Sequence, residues 1–212
     1  MKIVSVVPIK LNNERLPGKN TKLLGGEPLI RYILNTLLAS RYIDECYVYC
    51  SNEQIRDYLP EKVMFLKRSE ILDSPSSNFT QIFDCFRQKV QAEIYVYAHA
   101  TAPFISLESL EMCIERVVSG EYDSAFTATK IQDFLWQDGK PLNFNAENLP
   151  RSQELKPIYR ESSGIYVFTP EVFEKYHTRI GRMPYIREIG YKEAVDINVP
   201  DDFYLAEQLI SM

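Results

Sequence analysis

The sequence holds no apolar run approaching the roughly 18 residues that a membrane-spanning helix needs, so no membrane association is expected. Its four cysteines, Cys46, Cys50, Cys85 and Cys113, form no C-x-x-C pair. Each sits in an otherwise apolar, periodic stretch, which predicts reduced, mostly buried thiols rather than a disulfide framework. Glycine and proline are sparse, 8 and 12 of 212 residues, which excludes fibrous and low-complexity architectures. Cationic excess is missing too: 24 Lys and Arg stand against 29 Asp and Glu, a net −5. That balance argues against a general nucleic-acid binder with its basic stripe and high pI. The opening stretch from Ile3 to Ile9 is broken by Ser5 and Pro8 and followed by Lys10. It is too short and interrupted for a signal-peptide core, and a cytoplasmic protein is expected.

What is present is an alternation of strands and helices. Lys2 to Ile9 is a nearly continuous β-branched run, as in a strand covered on both faces. Glu27 to Ser40 then places Leu29, Ile30, Ile33, Leu34, Leu37 and Leu38 at helical spacing. Short strands are expected at Cys46–Cys50, Val63–Leu66, Ile94–Ala98, Asp123–Thr129 and Gly164–Phe168. Helices are expected at Glu53–Tyr58, Phe79–Phe86, Leu107–Val118 and Glu171–Tyr176. Ala194–Asn198 reads as a last strand, and Pro200 opens a closing helix. This rhythm implies a three-layer, Rossmann-like α/β fold with a mostly parallel sheet, one domain over residues 1–212. The rhythm breaks between Ile131 and Tyr159, which hold Gly139, Pro141, Pro150 and Pro157 and no clear helical period. Irregular segments of that length usually carry function or meet a partner.

The loop after the first strand concentrates charge. Residues 10–22 contain Lys10, Arg15, Lys19 and Lys22 against Glu14 alone, a local +3 in a chain whose remainder sums to −8. Ligands of open α/β sheets bind at the carboxyl ends of the strands, where this loop belongs. Several cations beside Gly18 suit a polyphosphate; the alternative is a solvated charged loop. Two familiar phosphate loops are absent. Asn13 and Asn20 stand where a Walker A loop needs Gly and Ser or Thr, and there is no G-x-G-x-x-G.

Four blocks then resemble one family in order along the chain. They are Val7-Pro8-Ile9-Lys10 with Arg15-Leu16-Pro17-Gly18-Lys19-Asn20 and Leu24 to Ile30; Thr101-Ala102-Pro103; Arg151 to Tyr166; and Val195 to Glu207. Together they resemble the acylneuraminate cytidylyltransferases, with CMP-Kdo synthetases sharing part of the loop. The resemblance implies a nucleotidyltransferase fold with a dimerisation arm at residues 131–159, and transfer of CMP from CTP to a sugar acid with release of pyrophosphate. It further implies a homodimer.

The same resemblance assigns roles. Lys10, Arg15 and Lys19 would neutralise the triphosphate as charge moves to the leaving group. Gly18, Asn20, Arg68 and Ser77 would bind the nucleotide; His99, Thr101, Arg151, Gln153 and Arg160 would meet the acceptor. Asp196, with Asn198, would hold Mg²⁺. The alternative for Asp196 is a helix cap. Phe134, Leu135 and Trp136 are expected to anchor the arm at an interface or to fold back on their own core. Departures from the family pattern are Lys10 for Arg, His99 for Gln, Ser162-Ser163 for Asn, and Asn198 for a second Asp. They leave open a phosphate or phosphonate acceptor, or a nucleotide-binding homologue without catalysis.

Overall fold

In the computed structural model, the structure describes residues 1–211; Met212, the last residue of the expected domain, lies outside them. Twelve principal elements follow one another. They are β1 Ile3–Ile9, α1 Leu29–Ala39, β2 Glu45–Cys50, β3 Met64–Lys67, α2 Phe79–Arg87, β4 Ile94–Ala98, α3 Leu107–Val118, β5 Ser124–Ile131, β6 Ile158–Phe168, α4 Pro170–Tyr176, β7 Pro184–Glu188 and α5 Pro200–Ile210. One seven-stranded sheet has the order β7-β5-β6-β4-β1-β2-β3. β6 runs antiparallel to both β4 and β5, and the other pairs are parallel.

Two apolar layers cover this sheet, as the expected three-layer fold requires. One face packs Val7, Val48, Val96 and Ile165 against Ile30, Ile33, Leu37, Leu110 and Ile114 of α1 and α3. The other packs Val6, Tyr95, Tyr97 and Phe168 against Phe83, Phe86, Val172 and Phe173 of α2 and α4. This second layer is aromatic, with Phe83 edge-on to Tyr95 at 4.9 Å and to Phe168 at 5.0 Å. The connections set α1 and α2 on opposite faces as the chain leaves β1 first toward β2 and later toward β4. The crevice between the carboxyl ends of β1 and β4 is therefore the topological switch point of the sheet, where ligands settle in such folds.

Two expectations are corrected. Ala194–Asn198 is not a strand: Ile197 donates its backbone N–H to the Thr101 carbonyl at 2.8 Å and buries its side chain with Phe203, Ala206, Leu24 and Leu29. The alternating apolar residues of that stretch serve a small side core under α5, not a sheet. Conversely, Pro184–Glu188 forms β7 at the sheet edge, where a leading proline is tolerated. Glu53–Tyr58 is helical but of the tighter 3₁₀ form.

Candidate active site

The basic loop leaves β1 at Ile9 and turns back through a 3₁₀ turn, Lys19–Thr21. Gly18 makes that turn possible with φ 66°, a left-handed conformation that side chains rarely adopt. The space around it is open, so the glycine serves backbone geometry rather than close approach of a neighbour. Asn20 is buried and donates its amide to the Lys10 carbonyl at 3.0 Å, closing the two limbs of the loop on each other. In this structure Asn20 shapes the loop that carries the cations.

The loop is clasped from the far end of the sequence. Lys19, 7% exposed, donates from Nζ to the Ile197 carbonyl at 2.7 Å. Arg15 donates from Nη2 to Asn198 Oδ1 at 3.1 Å, and Asn198 Nδ2 donates to Asp196 Oδ2 at 2.7 Å. Burial pushes the Lys19 ammonium below its ordinary pKa, and the Asp196 carboxylate opposes that shift. Asp196 sits in the loop before α5, not at a strand end as expected. It does not cap that helix either. Asp202 takes this part, accepting the backbone N–H groups of Asn198 and Val199 at 2.8 and 2.9 Å. The other oxygen of Asp196, Oδ1, is buried and has no hydrogen-bond partner.

Lys10, Arg15, Lys19 and Asn198 line one cavity of about 220 Å³ with Asn13, Glu14, Leu16 and Pro75. Lys10 and Pro75 also line a second cavity, of about 260 Å³, shared with Arg68, Ser77, Tyr97 and His99. Six of the sequence-selected residues and Asn198 thus meet along the switch-point crevice. Arg68 is buried and forked onto Asp73, with Nη2 2.7 Å and Nε 3.2 Å from Oδ1. Ser51 donates to the other Asp73 oxygen at 2.6 Å, and Lys10 Nζ donates to the Asp73 carbonyl at 3.3 Å. No sequence pattern singles out Asp73; only the fold brings it beside Arg68.

His99 stands at the end of β4, half-buried, with Tyr97 at 5.4 Å and Tyr166 at 6.1 Å between ring centroids. Burial, and then the positive charge of Arg179, drive its pKa down to about 3. It is a neutral imidazole at ordinary pH, able to share hydrogen bonds but not to supply charge. Thr101 contributes its carbonyl to the Asp196 loop, through Ile197. Ser163, just before the Gly164 that accepts from the His99 backbone, adopts φ 57°. Asn tolerates that left-handed conformation better than Ser, so an Asn, as the resemblance leads one to expect here, would relieve strain.

Other expected acceptor contacts are not brought to the crevice. Arg151 is exposed on the arm and pairs its guanidinium with Glu154, at 2.8 and 2.9 Å. Gln153 is exposed beside it. Arg160 lies on β6 and lines another cavity, of about 500 Å³, with Glu161 and Tyr191, which it shares with Asp196 and Asp202 of the loop and helix that clasp the basic segment. Within the arm, Phe134 and Trp136 pack edge-on to Phe144 at 4.8 and 5.4 Å. Both stay exposed, at 39% and 59%, so they do not fold back on the main core.

Residues 4–209 match the family described as Cytidylyltransferase. The chain belongs to that family. It is 26% identical, over 98% of its length, to N-acylneuraminate cytidylyltransferase A of Danio rerio, of which it spans 50%. It is 24% identical, over 100% of its length, to CMP-N,N'-diacetyllegionaminic acid synthase of Legionella pneumophila, covering 97% of that protein. The chain therefore spans about half the length of the first relative and nearly all of the second. A solved CMP:2-keto-3-deoxy-manno-octonic acid synthetase complexed with CTP superposes with a TM-score of 0.73 at 16% identity, covering 100% of this chain and 99% of that one. At that identity the likeness is one of fold. Among the described residues, no helix is long and apolar enough to cross a membrane.

Proposed function

We propose that this cytidylyltransferase transfers CMP from CTP to a sugar acid. An acceptor hydroxyl attacks the α-phosphorus; the new O–P bond forms as the bond to the β-phosphate breaks. Pyrophosphate leaves and the hydroxyl proton is released. The observation that carries this reading is the convergence of Lys10, Arg15 and Lys19 on one cavity at the end of β1, opposite the Asp196 loop. Fixed cations there stabilise charge as it moves onto the leaving phosphates, and such electrostatic stabilisation dominates catalysis of phosphoryl and nucleotidyl transfer. Arg68, held by Asp73, and Ser77 form the neighbouring wall, suited to ribose or base.

The unpartnered Oδ1 of Asp196 fits a hard cation, and among the described residues no cluster of three acidic, His or Cys side chains forms a complete metal site. Mg²⁺ is commonly held by one or two carboxylates together with substrate phosphates, so this donor set fits an ion that arrives with the nucleotide. Asp196 would hold it; Asn198 would add at most a neutral carbonyl, now engaged by Arg15. When bound, the ion supplies further neutralisation of the phosphates. The exposed aromatic cluster of the arm is read as the contact of a homodimer. Asn198 favours a second reading, a nucleotide-binding homologue with weakened catalysis, because a neutral amide replaces a charged ligand.

Pyrophosphate release decides between them. The protein is incubated with Mg²⁺ and each of CTP, UTP, ATP and GTP, together with N-acetylneuraminic, N,N'-diacetyllegionaminic, pseudaminic or 3-deoxy-manno-octulosonic acid. Release with CTP and an acid alone is the expected result. Thermal stabilisation by CTP without release would establish the second reading, and neither effect would overturn both.

A further inference from the structure

The tight connection between α4 and β7 carries an arginine that belongs to none of the sequence motifs. Arg179 lies over the Tyr166 ring, its guanidinium carbon 3.6 Å from the centroid. The same group stands 5.3 Å from the Phe79 centroid and 5.8 Å from that of Tyr97. Among the described residues, no carboxylate lies within salt-bridge distance of it, whereas Arg68, Arg87, Arg151 and Arg187 all hold one. Glu161, on the same strand as Tyr166, instead accepts the Tyr166 hydroxyl at 2.7 Å.

The backbone of the connection is anchored on both sides of Arg179. Thr80 donates to the His177 carbonyl at 2.9 Å, and Ile180 packs into the aromatic layer. Asp123 accepts the N–H groups of Arg182 and Met183 at 2.7 and 3.1 Å, and Ser124 accepts that of Gly181 at 2.8 Å. A side chain at Gly181 would run into the Asp123 carboxylate. Tyr97 and His99 are walls of the crevice shared with Lys10 and Arg68, and Arg179 adjoins the first and lowers the pKa of the second. Arg179 thus lies behind two crevice walls, Tyr97 and His99, on the α4–β7 connection, whereas the cations that line the crevice come from the basic loop and from the end of β3.

Arg179, over the Tyr166 ring, makes no hydrogen bond among the described residues, and a guanidinium with free N–H groups matches a planar carboxylate in a two-pronged pair. A half-buried cation without an anion is unfavourable until one arrives. His99 is neutral and cannot be that cation. We propose that Arg179 is the specificity residue for the carboxylate of the acceptor, the part that the family resemblance gives to Arg151 or Arg160. The inference rests on the cytidylyltransferase reading and says which end of the acceptor enters the crevice beside Tyr166.

The test compares Arg179→Met and Arg179→Lys with the parent protein, using each of the four sugar acids above and its methyl ester, which has no carboxylate charge. Arg179→Met is expected to raise KM for the acid roughly 10- to 100-fold, the usual range for a lost hydrogen bond to a charged group. KM for CTP stays unchanged, the melting temperature falls only slightly with the lost ring contacts, and the preference for acid over ester disappears. Arg179→Lys, keeping charge without the fork, recovers part of that preference. Retained discrimination between acid and ester in folded Arg179→Met would overturn the assignment alone. If the variant does not fold, equal acid KM in Arg179→Lys and the parent does the same. Absence of pyrophosphate release from the parent protein with every acid would overturn the underlying reading, and this inference with it.

Discussion

The fold treats its two irregular segments in opposite ways. Residues 10–22 are polar and charged, yet they are pinned by hydrogen bonds from both ends of the chain, and Lys19 and Asn20 are buried. Residues 131–159 carry the aromatic Phe134 and Trp136, yet these are left in solvent, and the arm's buried apolar residue is Leu155 at its base. Burial of charge is costly unless every group has a partner. The loop meets that condition with carbonyls and amides rather than carboxylates, which leaves its net charge available. Phe134 and Trp136 gain only their edge-on contacts with Phe144 and leave much of their surface in water. One segment is held within the chain; the other leaves aromatic surface exposed, which the proposed dimer would cover.

The largest break in that contrast is Lys19→Ala. Turnover should fall roughly 100- to 1,000-fold, the range for removing one fixed stabiliser of developing charge. Because the Ile197 carbonyl loses its donor, stability should fall by about 1–3 kcal/mol as well. Steady-state kinetics beside chemical unfolding would separate the two, and activity within tenfold of the parent would remove the loop from the mechanism. Asn198→Asp comes next. It replaces a donor to Asp196 by a second carboxylate, so Mg²⁺ should stabilise the variant more than the parent, by roughly tenfold in affinity. Melting temperature as a function of Mg²⁺ concentration reads this directly; equal curves would exclude the pair as a metal site.

A third variant sharpens the contrast through pH. His99 titrates at about 3 when folded and near 6.5 when unfolded, so the unfolded chain binds the extra proton between those values. Stability is therefore lost as pH falls from about 6.5 toward 3. His99→Gln should flatten that slope, measured by melting temperature from pH 7 to 4; an unchanged slope would show that His99 is not held neutral. Trp136→Ala should do least to one chain, within about 0.5 kcal/mol as for surface positions. Its effect should appear in sedimentation, as a shift from dimer toward monomer. A parent protein that stays monomeric at every concentration would end the interface reading.

Local pattern made much of this legible. β1, α1 and α3 are readable because apolar residues repeat with the period of the element they form, and tertiary packing agrees. The basic loop is readable because its charge is concentrated. Periodicity failed where two structures share one pattern: Val195 and Ile197 alternate like a strand but fill the side core under α5. β7 was hidden by its short length and by Pro184 at its start. Asp73 and Arg179 were invisible for another reason. Each gains meaning from neighbours that only the fold brings close, Arg68 for the first, Tyr97 and Tyr166 for the second.

The clasp between Lys19 and the Ile197 carbonyl joins positions 178 apart in sequence. During synthesis the cations of the loop emerge early, while Asp196 and Asn198 follow after nearly the whole sheet has been made. A nascent chain can build β1, α1 and their neighbours as it lengthens, since amino-terminal parts fold first. It cannot close the clasp on Arg15 and Lys19 until Ile197 and Asn198 have been made. The clasp therefore forms only after residues 10–198 have been made, and a chain stopped before Asp196 would keep the cations without their contacts to Ile197 and Asn198.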